Sequence, residues 1–212
     1  MIEEKKIPAP TVERLSVYLA CLKRLAEERM ETVSSNEIGQ RAGSNAAQVR
    51  KDLSYFGEFG TPGVGYNVIH LRERLVEILG LRRGRDVLLV GAGSLGTALC
   101  GYQGFTQEGF RIRDVFDNDP AKIGHHIGDL EIHDISRLGE LNAASPCDMA
   151  MVAVPSRAAQ SVAEKLARAG VNCILNFAPA KLSLPPEVIV RDVDLSRELA
   201  VLSYYLRLRE AE

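Results

Sequence analysis

VLLVGAGSLGTALCGY, residues 87–102, decides the fold. An apolar run, Val87 to Val90, passes directly into the pattern G-x-G-x-x-G and then into a segment of helix-forming residues. Strand, tight glycine turn and helix in that order open a dinucleotide-binding βαβ unit; without that context the glycine pattern says little. Gly91 permits the turn, Gly93 lets the main chain come close to a pyrophosphate, and Gly96 lets the helix pack on the strand. Ala92, Ser94 and Leu95 complete the loop. The first helical turn presents unpaired N–H groups and a partial positive charge to the phosphates.

Toward the C-terminus the same texture continues. Apolar runs recur at 112–116 (IRDVF), 149–154 (MAMVAV), 173–177 (CILNF) and 188–190 (VIV), and helical patterns separate most of them. Buried parallel strands have this look, and their alternation with helices predicts a Rossmann-like, doubly wound parallel sheet of the α/β class. The second strand ends in VFDND. Asp117 follows Gly96 by 21 residues, where an acid accepts hydrogen bonds from the adenosine ribose. A carboxylate there repels a 2′-phosphate, and the next residues are Asn118 and Asp119 rather than an arginine, so NAD(H) is expected over NADP(H). Ligands of such sheets lie at the carboxyl ends of the strands. Val154 and Pro155, and Phe177 in Asn176–Pro179, are therefore further cofactor candidates. The last segment, from about Leu195 to Arg209, carries an apolar stripe of Leu195, Leu199, Leu202, Tyr205 and Leu206; a face that wide must dock on something.

Toward the N-terminus the pattern is different. Leu15, Leu19, Leu22 and Leu25 fall on one face of a helix from about Thr11, its expected N-cap, to Met30. Ser35 is the expected cap of a second, short helix ending at Gly43, and Ser44 starts a third with Ala46, Val49, Leu53 and Phe56 inward. Two short helices joined by a glycine-containing turn form a helix-turn-helix signature. GEFGTPGVGY, residues 57–66, predicts a hairpin with its tip at Thr61-Pro62-Gly63. A fourth helix, about Val68 to Leu79, follows. Helices then a glycine-rich wing predict a winged helix-turn-helix domain that binds duplex DNA. Asn45, Gln48, Arg50, Lys51 and Ser54 lie at the start or on the polar side of the third helix. Asn45 and Gln48 suit adenine, and Arg50 and Lys51 suit guanine or phosphate. Thr61, Gly63, Gly65 and Tyr66 place the wing in the candidate interface.

The expected domains are 1–80 for DNA, 85–194 for the cofactor and 195–212 as a C-terminal helix, the first boundary lying near LRRGRD, residues 81–86. Residues 1–85 carry 14 Lys+Arg against 11 Asp+Glu, and residues 86–212 carry 12 against 17, so only the first part leans toward a polyanion. Hydrophobic residues make up 46% of the chain. No apolar run approaches the roughly 18 residues of a membrane span, and MIEEKKIPAP lacks the apolar core of a secretory signal; a cytoplasmic location is expected. Cys21, Cys100, Cys147 and Cys173 form no metal or disulfide pattern. The four histidines, His70, His125, His126 and His133, have no evident orienting carboxylate. That weighs against the alternative, an NAD-dependent oxidoreductase with an N-terminal dimerisation module, because such an enzyme needs a placed proton donor.

VRKDLSYFGEFGTPGVGY (49–66), VGAGSLG (90–96), FDNDPAKIG (116–124) and ILNFAP (174–179) together resemble the Rex family of redox-sensing transcriptional repressors. The likeness runs over about residues 10–208. It implies a homodimer that exchanges its C-terminal helix, a palindromic operator, and release from DNA when NADH rises relative to NAD+. It also implies a role for Tyr102, in GYQGF, near the nicotinamide. At Ala20 the sequence departs from relatives that carry a longer or basic side chain.

Overall fold

The computed structural model describes residues 7–61 and 63–210. Pro62, in the expected wing tip, lies outside the described residues. The chain separates into two compact units between Arg83 and Gly84.

The first unit runs α1 (Ala9–Glu27), β1 (Thr32–Val33), α2 (Ser35–Arg41), α3 (Ala46–Ser54), β2 (Gly60–Thr61), β3 (Gly65–Asn67) and α4 (Val68–Ile78). Leu15, Leu22, Leu25, Ile38, Val49, Leu71 and Leu75 are fully or almost fully buried in one core. Each such side chain stabilises the fold by about 1.5–3 kcal/mol. The helix-turn-helix is α2 and α3, with Gly43 at φ +64° in the turn. The caps sit one residue from, or beyond, their expected places. Ser34, the last residue in extended conformation after β1, accepts from the N–H of Glu37. Asn45 rather than Ser44 caps α3. Helix α1 begins after Pro8, with Pro10 in its first turn, where a missing N–H costs no helical hydrogen bond, and Thr11 is buried inside the helix instead.

The expected hairpin is present as the antiparallel pair β2–β3, and β1 adds a third strand on β3, giving the order β1-β3-β2. Strand β1 is two residues long, too short to show a period of two. It fits because Gly65, at φ +99°, brings β3 against it: a Cβ there would lie 2.5 Å from the carbonyl oxygen of Val33.

The second unit runs β4 (Arg85–Val90), α5 (Ser94–Cys100), α6 (Gln103–Gln107), β5 (Phe110–Asp117), β6 (His126–Ile127), β7 (Leu130–Asp134), a 3-10 turn (Ile135–Arg137), α7 (Leu138–Ala144), β8 (Met149–Val152), α8 (Ser156–Arg168), β9 (Cys173–Asn176), β10 (Ile189–Asp192) and α9 (Leu195–Glu210). The sheet order is β10-β9-β8-β4-β5-β7-β6, parallel throughout except for β6 on β7. Numbering the six parallel strands in chain order gives 3-2-1-4-5-6, the doubly wound dinucleotide-binding topology. Its switch point lies between β4 and β8. Leu88, Val90, Phe116, Ala150 and Val152 face the side covered by α7 and α8. Val87, Leu89, Val115 and Met151 face the side of α5 and α6. Residues 177–188, between β9 and β10, contain no helix.

Helix α9 has no buried residue: Leu199 is 67% and Leu206 60% exposed. A second apolar surface, a groove of about 340 Å³, lies along the sheet face between Phe105, Phe110, Met149, Met151, Leu175 and Ile189.

Gly65→Ala should destabilise the first unit by about 2–4 kcal/mol, adding left-handed strain to a main-chain collision. Urea unfolding of the variant reads this; an unchanged midpoint would contradict the close approach of β1 and β3.

Candidate functional site

Strand β4 ends at the switch point, and the chain must turn there within one residue. Gly91 does so at φ +107°, its N–H donating to the carbonyl of Phe116 at 2.7 Å. A Cβ on Gly91 would collide with the carbonyl oxygen of Ala153, the residue after β8. A Cβ on Gly96 would collide with the carbonyl oxygen of Gly91, so α5 can lie this close only with glycine at that position. Gly93 is exposed, and nothing lies within 4 Å of where its Cβ would be. That open space is what a phosphate needs if main-chain amides are to reach it.

Asp117, the last residue of β5, closes the loop. Its Oδ2 accepts the N–H of Ala92 at 2.7 Å, and its Oδ1 accepts those of Asn118 at 2.8 Å and Asp119 at 2.9 Å. The Lys122 ammonium lies 3.2 Å from Oδ2. Burial pushes this carboxyl up, but the amides of Ala92 and Asp119 and the Lys122 ammonium outweigh it, and the pKa falls below the ordinary value.

A cleft of about 530 Å³ opens at this strand edge. Of the expected cofactor residues it is lined by Gly91, Gly93, Asp117, Val154 and Pro155. Ala92 is buried with its N–H committed to Asp117, and Gly96 is buried behind the loop. Ser94 and Leu95 point to solvent outside the cleft lining. Tyr102 is 60% exposed, its ring edge on Phe105, and does not line it. Phe177 packs into the apolar face of the sheet rather than into the cleft. The sequence reading missed Lys122, Ile135, Ala158, Val162 and Lys165, which do line it. They come from the loop after β5, the 3-10 turn after β7 and α8, where no fixed spacing from the glycines announces them. Lys122 also alters the electrostatic expectation: the acid at the end of β5 carries a cation beside it.

No histidine lines the cleft among the described residues. His133, in β7, stacks at a tilt on Phe116, and its Nδ1 is buried without a hydrogen bond, the carboxylate of Glu131 lying 4.0 Å away.

In the first unit α3 presents its exposed residues beside the wing. A groove of about 590 Å³ runs between them, lined by Arg50, Ser54, Gly57, Thr61, Gly63 and Gly65 among others. Arg50 donates to Ser35 Oγ at 2.8 Å, which holds the guanidinium against α2, and Lys51 is exposed. Ser54 Oγ donates to the carbonyl of Lys51. Two candidates are committed internally. Asn45 Oδ1 caps α3 by accepting from the N–H of Gln48, and Gln48 Nε2 donates to Asp52 at 2.9 Å. Tyr66 is only 8% exposed and belongs to the core, so its ring supports the wing rather than facing out of it.

The residue that sequence reasoning passed over is Asp52. Its side chain is fully buried and accepts from Thr11 Oγ1 (3.1 Å), Arg14 Nε (2.6 Å) and Nη2 (2.7 Å), Tyr18 OH (2.9 Å) and Gln48 Nε2 (2.9 Å). Burial pushes the carboxyl up, yet the donors from Arg14, Gln48, Tyr18 and Thr11 together hold it at about 2. The carboxylate thereby bolts α3 to α1.

These two units define a class: a winged helix-turn-helix joined to a doubly wound nucleotide-binding sheet. Comparison with known proteins agrees. Residues 6–54 match the family model "Putative DNA-binding protein N-terminus", and residues 83–180 match "CoA binding domain". The redox-sensing transcriptional repressor Rex of Carboxydothermus hydrogenoformans is 50% identical over 202 residues, 95% of this chain and 97% of that one. The Rex protein of Pelotomaculum thermopropionicum is 49% identical over 207 residues, 98% and 97% of the two chains. A solved structure of RSP with beta-NAD+ and operator DNA superimposes with a TM-score of 0.90 at 35% identity, covering 98% of this chain and 96% of that one. RSP with beta-NADH gives 0.89 at 34% identity, covering 98% of each. The chain belongs to the Rex family of redox-sensing transcriptional repressors.

Because the ordinary Asp value is 3.8 and the folded value about 2, Asp52 stabilises the fold fully above pH ~4 and loses that contribution as pH falls toward 2. The stabilisation is about 2 kcal/mol. Asp52→Asn should cost about 3 kcal/mol at neutral pH, leaving Arg14 without its partner, and should flatten the acid limb of a pH–stability curve measured by urea unfolding.

Proposed function

We propose that this chain is a transcriptional repressor that binds palindromic operator DNA through residues 1–80 and senses NADH relative to NAD+ through residues 85–194. The observation that carries this reading is the cleft at the β4/β8 switch point, with open space at Gly93 and a buried, ionised acid at the end of β5. The relative RSP, solved with NAD+ and operator DNA and separately with NADH, supports both dinucleotide forms and operator DNA as ligands.

In the DNA-binding unit Arg50 and Lys51 contact bases or phosphate, and Thr61, Gly63 and Gly65 bring the wing to an adjacent groove. Asn45, Gln48 and Tyr66 act indirectly, by capping, orienting and supporting these elements. In the cleft Gly91 and Gly93 pass the pyrophosphate, Asp117 faces the adenosine ribose, and Val154 and Pro155 lie toward the nicotinamide. Tyr102 and Phe177 join the site only with a partner subunit or a shift of the α5–α6 segment. The protein is a homodimer in which residues 195–212 are exchanged. Support comes from the two apolar surfaces that one chain leaves open, α9 and the sheet groove. It acts in the cytoplasm as a binding switch and turns over no substrate, a reading supported by relatives that are named transcriptional repressors. No helix among the described residues is long and apolar enough to cross a membrane.

The switch needs the DNA-competent and DNA-released states to differ in affinity for the two dinucleotide forms. A second reading, a sensor of coenzyme A or an adenylate, is favoured by the family model matched over residues 83–180. Gel-shift titration of an operator duplex at fixed total dinucleotide separates them. Affinity should fall as NADH replaces NAD+, with coenzyme A inert; no response to the ratio would overturn the proposal. The same duplex tests the DNA face. Arg50→Ala/Lys51→Ala should bind much more weakly and lower the slope of log affinity against log salt by up to about 4, two cations being lost from each of two subunits. Retained affinity would instead favour a helical interaction module.

A further inference from the structure

A carboxylate offers about four lone-pair positions, and all four on Asp117 are filled. Oδ1 accepts from the main-chain N–H groups of Asn118 and Asp119, and Oδ2 accepts from the N–H of Ala92 and from Lys122 Nζ. A ribose hydroxyl can hydrogen-bond to this acid only if one donor leaves. Three of the donors are main-chain groups fixed by the turn after β5 and by the glycine loop. The fourth is a flexible side chain, 38% exposed, on the rim of the cleft. A second carboxylate stands ready to receive it: Asp119 Oδ2 is 3.8 Å from the same Nζ.

We propose that Lys122 is the displaceable counter-ion of Asp117 and sets the selectivity of the cleft at the ribose. A ribose diol takes the Oδ2 position by moving the ammonium toward Asp119. The diol therefore competes with Lys122, and the lysine weakens binding of a dinucleotide with a free 2′-hydroxyl. Toward a 2′-phosphate the sign reverses. The ammonium attracts the phosphate that Asp117 repels, so Lys122 narrows the gap between NADH and NADPH. Selectivity at this position belongs to the Asp117–Lys122 pair and not to the acid alone. The proposal rests on the reading that the cleft holds a dinucleotide.

Calorimetric titration of the full-length protein with NADH and with NADPH tests this in the wild type, Lys122→Met and Lys122→Arg. Methionine keeps the length of the stem and removes the charge. An ion pair whose cation reaches solvent changes affinity by no more than a few-fold, so Lys122→Met should bind NADH about two- to fivefold more tightly. It should bind NADPH at least about threefold more weakly, as expected for losing one cation near the phosphate in partial solvent. The preference for NADH then widens by about tenfold, while Lys122→Arg stays close to wild type. Unchanged or weaker NADH binding in Lys122→Met, or equal changes for both dinucleotides, would overturn the proposal. If the wild type itself binds neither dinucleotide, the failure lies with the reading of the cleft; if it binds NADH and the lysine variants do not differ, the failure lies with Lys122 alone.

Discussion

A single buried hydrogen bond organises the second unit: the N–H of Ala92 donates to the carboxylate of Asp117 at 2.7 Å. It joins the end of β4 to the end of β5, 25 residues apart in the chain, and it is charge-assisted in a poorly solvated place, where such bonds are strong. The rest of the site follows from it. With Ala92 held, Gly91 must turn at positive φ between the carbonyls of two strands, and α5 must start close enough that only glycine fits at position 96. Gly93 is left as the exposed corner. The acid that would read the ribose is thus the same group that shapes the phosphate loop.

The first unit repeats the device with different partners. Asp52 is a buried carboxylate that ties α3 to α1 through Arg14, Tyr18 and Thr11 and steadies Gln48 on the same helix. Since Asp52 points inward, the outer side of α3 is left to Arg50 and Lys51, one braced on Ser35 and one free to extend. A buried charge network is not in itself strong evidence of stability; here it fixes the rotation of the helix whose exposed side matters.

What could be read from the sequence was local. The glycine loop, the acid 21 residues on, the parallel strands and the helix-turn-helix each depend on spacing within one or two elements, and each is present. What escaped was long-range or too short. Thr11 and Arg14 lie 41 and 38 residues from Asp52, and no periodicity links them. Strand β1 has two residues. Tyr66, in an exposed-looking glycine-rich segment, is pulled into the core by the third strand of the wing. Tyr102, placed near the nicotinamide by the family resemblance, and Phe177, placed there by its strand end, do not line the cleft of this single chain. The apolar stripe of α9 was legible as an unsatisfied surface, and it stays unsatisfied here.

Sensing in the cleft runs through Asp117, and operator recognition belongs to a separate unit. The most direct measurement is the NADH concentration that halves operator binding, compared between the wild type and Asp117→Ala. The variant should hold the operator as tightly as the wild type without dinucleotide and need at least about tenfold more NADH to release it, a loss of about 1.4 kcal/mol or more. Release at the same NADH concentration would contradict the account.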